Sequence, residues 1–258
     1  MDIGVDESFR HVLNINKLND FESLWNLKGE LVELGNVKEK SGHSHVMRAY
    51  LESETGPLCV YMKRQSNYST TLSRLLGRSR SICRREYENI AAWEAMGLPA
   101  LKAVYCAEVQ NPLRGILITV ALEGYQPLDD YLPSATAQGR RAMLQATAKL
   151  IRCIHDAGWV HRCFFPKHVF VSPNNTAKPA QMIDLEKARK AWFGVRDYTR
   201  DMASFERRMV WQDEAERKMF FDSYFGGAET TLYRRLFMHL IGKRMRSVSY
   251  VNRCSKRD

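Results

Sequence analysis

The amino-acid sequence predicts an α+β fold in two parts, a small antiparallel sheet with one helix over residues 1–122 and a mainly helical part over residues 123–258. Three observations predict it. Short runs of alternating apolar and polar residues fill the chain from about Leu27 to Arg64, and two more follow Gly97. After Glu123-Gly124-Tyr125 the apolar residues recur at helical spacing instead. A chain of 258 residues, 45% hydrophobic and 26% charged, has globular composition. At that length it buries about 73% of its unfolded surface, enough for a full core without disulfides or metal.

The elements follow in order. ELVELGNV, HVMRAYLE and PLCVYMKR read as three strands, separated by the turn clusters KEKSGHS and SETG. TTLSRLLGRSRSICRREYENIAAWEAMG is a basic loop running into a helix, with Ile82, Tyr87, Ile90 and Trp93 at helical spacing and Gly97 as its stop. ALKAVYCAEV and GILITVAL are two further strands. The helical part opens with LDDYL and a long helix from Ala137 to Ala157, stopped by Gly158. The runs HVFVS and AQMIDL, joined by PNNTAKP, form a short hairpin, and helices complete the chain.

Composition also excludes. The longest apolar run, Ile116 to Leu122, is far below the roughly 18 residues that cross a bilayer. MDIGVDESFR has acids where a secretion signal carries bases, so a cytoplasmic location is expected. The six cysteines are scattered without a C-x-x-C pair, as reduced thiols are.

The net charge of +10 is local. Lys63 to Arg85 holds seven bases and no acid, and Arg234 to Asp258 eight bases and one acid; the rest of the chain is slightly acidic. Such patches attract polyanions or are simply solvated faces. Neither interleaves aromatic residues with bases, and no helix-turn-helix or finger pattern occurs, so no nucleic-acid partner is expected. The tail LFMHLIGKRMRSVSY mixes apolar and basic residues, a composition that suits peripheral contact with an anionic membrane surface.

Four places carry candidate chemistry: Lys63 late in a strand with Glu86 early in the next helix; the loop from His161-Arg162-Cys163 to Lys167-His168; Asp184 ending the apolar run Met182-Ile183; and Asp201 after Arg200 at a helix start. Each has a plainer reading. A strand-end lysine is usually solvated, His161 could be a packed core histidine, and Asp184 and Asp201 could be helix N-caps. Their order decides between the readings. Strand Lys, helix Glu, connector, helix, H-R loop, hairpin and apolar-Asp is the parts order of a protein-kinase-like two-lobed fold.

The stretches YMKR, RREYENI, DAGWVHRCFFPKHVFV and MIDLEKAR resemble the lipopolysaccharide kinase (Kdo/WaaP) family, in particular its InaA-like branch, from about Leu27 to Tyr224. The resemblance implies transfer of the γ-phosphate of ATP, with Mg²⁺, to an inner-core sugar, a heptose or Kdo, at the cytoplasmic face of the inner membrane. It implies that Lys63 holds the α- and β-phosphates, that Glu86 orients it, that Asp184 and His168 bind the metal and that Asp201 braces the H-R loop. Gly42, alone in KEKSGHSH, and the connector residue Glu123 complete the nucleotide side. His161, Arg162, Cys163 and Lys167 are the catalytic-loop candidates. The expected partner is the lipopolysaccharide core or a similar anionic glycolipid, gripped by the basic stretch from Lys63 to Arg85.

One departure is Cys163, which stands where kinases have the catalytic aspartate. A base there is typically worth about 10² to 10⁴ in rate. The thiol is either a thiolate base favoured by Arg162 or an inert thiol packed on Phe164 and Phe165. An alternative to the enzyme is therefore a pseudokinase that binds nucleotide or a partner as a regulator. A protein Ser/Thr kinase fits less well, because LEKARKAWFG after Asp184 has neither the D-F-G glycine nor an A-P-E segment.

Overall fold

The protein is described by a computed structural model covering residues 2–38, 42–68, 80–227 and 230–246. The chain divides into two compact units, Met1–Ala95 with Ala100–Glu123, and Met96–Pro99 with Gly124–Asp258. Most of the expected basic loop (residues 69–79) and the end of the basic tail (residues 247–258) lie outside the described residues.

The first unit contains β1 (Asp2–Val5), α1 (Glu7–Ile15), α2 (Phe21–Trp25), β2 (Glu30–Lys38), β3 (Gly42–Leu51), β4 (Leu58–Ser66), α3 (Ile82–Ala95), β5 (Ala103–Val109) and β6 (Arg114–Val120). The strands form one antiparallel sheet in the order β1-β5-β6-β4-β3-β2. Side chains alternate across it with the period of two that a strand imposes. Val60 and Met62 of β4, with Ile116 and Ile118 of β6, join Phe9, Val12, Leu13 and Leu24 in one core. Arg64, on that same face of β4, donates to the carbonyls of Leu24 and Leu27 and so fastens the end of α2. The intervening residues of β4, Lys63 and Gln65, face α3 instead.

Three of these elements were not legible in the sequence: β1, α1 and α2 precede Leu27, so this unit has three helices among its described residues rather than the expected one. The reason is their length. A helix of nine residues and one of five are held by packing on the sheet and by caps more than by propensity. Asp6 accepts from the Ser8 N–H at 2.9 Å, and Asp20 with Ser23 forms a reciprocal capping box.

The second unit begins with β7 (Gln126–Pro127), α4 (Leu128–Tyr131), a 3₁₀ turn (Leu132–Ser134) and the long α5 (Ala137–Asp156). It continues through β8 (Trp159–Val160), a 3₁₀ turn (Pro166–His168), β9 (Val169–Val171), β10 (Ala180–Met182), a 3₁₀ turn (Leu185–Lys187) and β11 (Arg189–Lys190). Three helices follow, α6 (Val195–Glu206), α7 (Glu214–Phe225) and α8 (Leu232–Arg246). The hairpin β9-β10 pairs antiparallel with Ala180 opposite Val171, and β8 pairs with β11. Strands of two residues such as β7, β8 and β11 carry no readable periodicity, which is why the sequence shows only the hairpin. Phe164, from the loop after β8, is fully buried and stacks on Phe205 of α6 with ring centres 4.5 Å apart; Phe205 in turn stacks on Phe220 of α7. Arg140 of α5 is buried and forks onto Glu216 of α7, which joins these helices by a charge-assisted pair.

Candidate functional site

Two groups of polar residues are assembled, one in each unit. In the first, Lys63 Nζ donates to Glu86 Oε2 at 2.6 Å. Both side chains are largely shielded, Glu86 being only 3% exposed. The local sequence builds this pair. Gln65 lies two residues beyond Lys63 on the same strand face, and its Oε1 accepts the Cys83 N–H at 2.8 Å, satisfying an otherwise orphaned amide at the start of α3. One turn later along α3, Glu86 meets Lys63. Ser81 and Arg84 are held by buried Glu108, so the start of the helix is tied at two points. Gly115 of β6 permits this approach, because a Cβ there would come within 2.7 Å of Ser81.

Gly42 opens β3, where a Cβ would stand 3.1 Å from the Asn67 carbonyl, so the glycine serves a close backbone approach. The neighbouring residues 39–41 lie outside the described residues. Glu123 is exposed and ends the first unit.

In the second unit the H-R loop is held from several sides. Asp201 is 1% exposed, and its carboxylate accepts the His161 N–H at 2.6 Å and the Arg162 N–H at 2.7 Å. Arg200 and Asp201 lie in the middle of α6, which starts at Val195 after Gly194, rather than at a helix start as the sequence suggests; Asp201 is thus no N-cap. His161 is fully buried. A carbonyl can only accept and an amide can only donate, so its Nε2–H donates to the Ile183 carbonyl at 2.9 Å while Nδ1 accepts the Cys163 N–H at 3.2 Å. Both ring nitrogens are thereby used in shaping the loop. Arg162 adopts φ +68° and Asp184 φ +60°, left-handed conformations that cost free energy in non-glycine residues and cluster at functional sites.

The same logic fixes His168. Its Nδ1–H donates to the Cys163 carbonyl at 2.8 Å, which leaves the Nε2 lone pair 3.8 Å from Asp184 Oδ2. Burial pushes the imidazole down to about 4, so the ring is neutral and able to ligate. Asp184 stands at the N-cap position of the third 3₁₀ turn, but its side chain makes no capping bond there. Glu186, not singled out in the sequence, has a carboxylate oxygen within 4.8 Å of that of Asp184; its signal is the D-x-E spacing after an apolar strand. The Asp184 and Glu186 carboxylates offer the oxygens that Mg²⁺ prefers, and the His168 Nε2 stands beside Asp184.

Cys163 is 8% exposed, and burial pushes its thiol up; the nearby Lys187 ammonium opposes this but does not reverse it. At neutral pH it is therefore a protonated thiol rather than a thiolate base. Lys167 is exposed on its 3₁₀ turn, near enough to Asp129 for their charges to interact. His155, also missed in the sequence, lies behind the loop with Nε2 3.6 Å from Asp201 and Nδ1 2.7 Å from the Tyr224 hydroxyl. No spacing signal links these three residues, which come from three separate helices.

A strand-rich unit followed by a helical unit with these loops is the architecture of a kinase-like protein. The model of the lipopolysaccharide kinase (Kdo/WaaP) family matches residues 22–224. The chain belongs to that family. Protein InaA of Escherichia coli (strain K12) is 27% identical to it over 182 residues, 67% of this chain and 81% of that protein. Among solved structures, WaaP in complex with acyl carrier protein shares the fold with a TM-score of 0.65 at 16% identity, over 94% of this chain and 97% of that one. No helix among the described residues is long and apolar enough to cross a membrane.

Proposed function

We propose that this protein is a kinase that transfers the γ-phosphate of ATP to a sugar of the lipopolysaccharide inner core, a heptose or Kdo, working at the cytoplasmic face of the inner membrane. The observation that carries the reading is the 2.6 Å bond between Lys63 and Glu86, the arrangement that holds a lysine ready for the α- and β-phosphates. In this reading Asp184 and His168 hold Mg²⁺, with Glu186 beside them. When bound, the metal neutralises charge developing on the β- and γ-phosphates. Asp201 keeps the H-R loop in shape through the His161 and Arg162 amides. In the transfer a sugar hydroxyl oxygen bonds to the γ-phosphorus, the bond to the β-phosphate oxygen breaks, and the hydroxyl proton leaves to water or to the transferred phosphate.

A protonated Cys163 accepts no proton in this scheme, so catalysis rests on positioning and charge, with Lys167 and Arg162 as the cations of the H-R loop. Titration calorimetry with ATP, with and without Mg²⁺, tests the reading. Mg²⁺-dependent binding that Asp184→Ala abolishes is expected. In cells, Lys63→Ala or Asp184→Ala should remove phosphate from the core sugars, and unchanged core phosphate would refute the proposal.

The buried thiol at position 163 also favours a second reading, a pseudokinase that binds nucleotide without useful turnover. ATP binding with no detectable transfer to any core acceptor would select it.

A further inference from the structure

Beside the H-R loop, the second unit carries a cavity of about 530 Å³, within the range of about 300–1,000 Å³ typical of small-molecule sites. It is lined by five arginines, Arg162, Arg189, Arg196, Arg200 and Arg244, and one acidic residue, Asp197. That carboxylate is fully engaged. It receives the Arg189 fork at 2.9 and 3.1 Å and the N–H groups of Trp192 and Phe193 at 2.9 and 3.2 Å. Arg244 donates to the Arg196 carbonyl at 2.9 Å and to the Thr199 hydroxyl at 3.3 Å, which fastens it to α6. By residue type the lining carries five formal positive charges against one negative. The N-terminal turn of α6, which lines the same cavity, adds the positive end of a helix dipole.

The rim is aromatic. Trp192 is 73% exposed and Phe193 64% exposed, a costly arrangement in a segment otherwise anchored by buried Asp197. The Arg189 guanidinium lies 4.1 Å from the Trp192 ring centre and holds that ring in place. Flat aromatic faces pack against the C–H faces of sugar rings, and arginine forks bind phosphate in bidentate fashion.

We propose that this cavity is the acceptor site and that it takes a phosphate-bearing sugar, the arginines holding the phosphate and Trp192 with Phe193 covering the sugar ring. The inference rests on the kinase reading for the word acceptor, and Arg162, shared by the H-R loop and the cavity wall, connects the two. It differs from the expectation that the basic stretch from Lys63 to Arg85 grips the glycolipid.

The test is equilibrium binding of mannose 6-phosphate, mannose, inorganic phosphate and a short single-stranded DNA to the full-length protein. The sugar phosphate should bind roughly tenfold more tightly than either mannose or inorganic phosphate, and its affinity should fall as salt is raised. Arg196→Ala should weaken it roughly tenfold, and Trp192→Ala should abolish the preference over inorganic phosphate, while Arg235→Ala, an exposed arginine elsewhere on α8, should leave it unchanged. Melting temperatures and Mg²⁺-ATP binding, measured on the same samples, separate loss of fold from loss of the site. Equal affinity for inorganic phosphate, tighter binding of the DNA, or insensitivity to Arg196→Ala would each overturn the proposal. Sugar-phosphate binding without ATP binding would instead refute the kinase reading and leave the site standing.

Discussion

The carboxylate of Asp201 and the backbone of His161 meet at 2.6 Å, and the next amide, that of Arg162, joins the same carboxylate at 2.7 Å. One buried anion thus holds two consecutive N–H groups of a loop whose second residue is in a left-handed conformation. The strained turn at Arg162 is over-determined by this pair, by the His161 ring and by the burial of Phe164.

Replacing Asp201 by Asn is predicted to destabilise the protein by about 2–3 kcal/mol, because the amide NH₂ turns a donor towards a donor and the bond to a charged acceptor is lost. Denaturant unfolding measures the loss, and hydrogen exchange should accelerate at the His161 and Arg162 amides. Unchanged exchange at both amides would contradict the bracing role.

Lys63→Met takes the ammonium away from the Glu86 carboxylate in a site where that carboxylate is 3% exposed. The expected cost is about 2–3 kcal/mol, below the range for a fully buried pair because the Lys63 side chain keeps some exposure. Adding Glu86→Gln should recover at least half of it, since the double variant no longer buries the Glu86 charge. A double-mutant cycle checks this, and strictly additive costs would mean that the two groups are not coupled.

Cys163 should resist thiol reagents near pH 7.5 in the folded protein, whereas exposed Cys153 reacts readily. Peptide mass mapping after a short exposure distinguishes them, and rapid labelling of Cys163 would show that its thiol is accessible and ionised. In the transfer assay, Cys163→Asp should raise the rate by up to about 10² to 10⁴ if the remaining site is competent.

The pH dependence of stability should carry the mark of Asp197. Burial alone would raise its pKa, but the Arg189 fork and the Trp192 and Phe193 amides outweigh burial and hold it at about 2, against 3.8 in the unfolded chain. Between those values the unfolded state binds the proton and the folded state does not. Stability is therefore complete above about pH 4 and falls as pH drops towards 2, by about 2 kcal/mol from this group. Subtracting the unfolding profile of Asp197→Asn from that of the natural sequence isolates the effect, and superimposable acid limbs would refute it.

Much of the scaffold was legible in residue order. The strands flanking SETG, the helix ending before Gly97 and the helix ending before Gly158 follow from periodicity and from glycine stops, which are local properties. The region before Leu27 was not, because α1 and α2 exist through the core they share with Val60, Met62, Ile116 and Ile118. Lys63, Glu86, Asp184 and Asp201 could be singled out by type and order. Glu186 had only the D-x-E spacing to mark it, and His155 and the arginine-lined cavity had no mark at all, since neither Arg244 nor Arg162 announces that folding will bring it to α6.

Local sequence determined the element types, the candidate polar residues and the substitution of a thiol for a carboxylate at position 163, since these depend on residue identity and short spacing. Tertiary packing decided their chemical states. Burial made Cys163 a thiol and His168 a neutral imidazole, and a carbonyl partner left the His168 Nε2 lone pair on the side of Asp184. Protonation and tautomer are set by solvent exclusion and by hydrogen-bond partners distant in the chain, and neither is a property of a residue read in isolation.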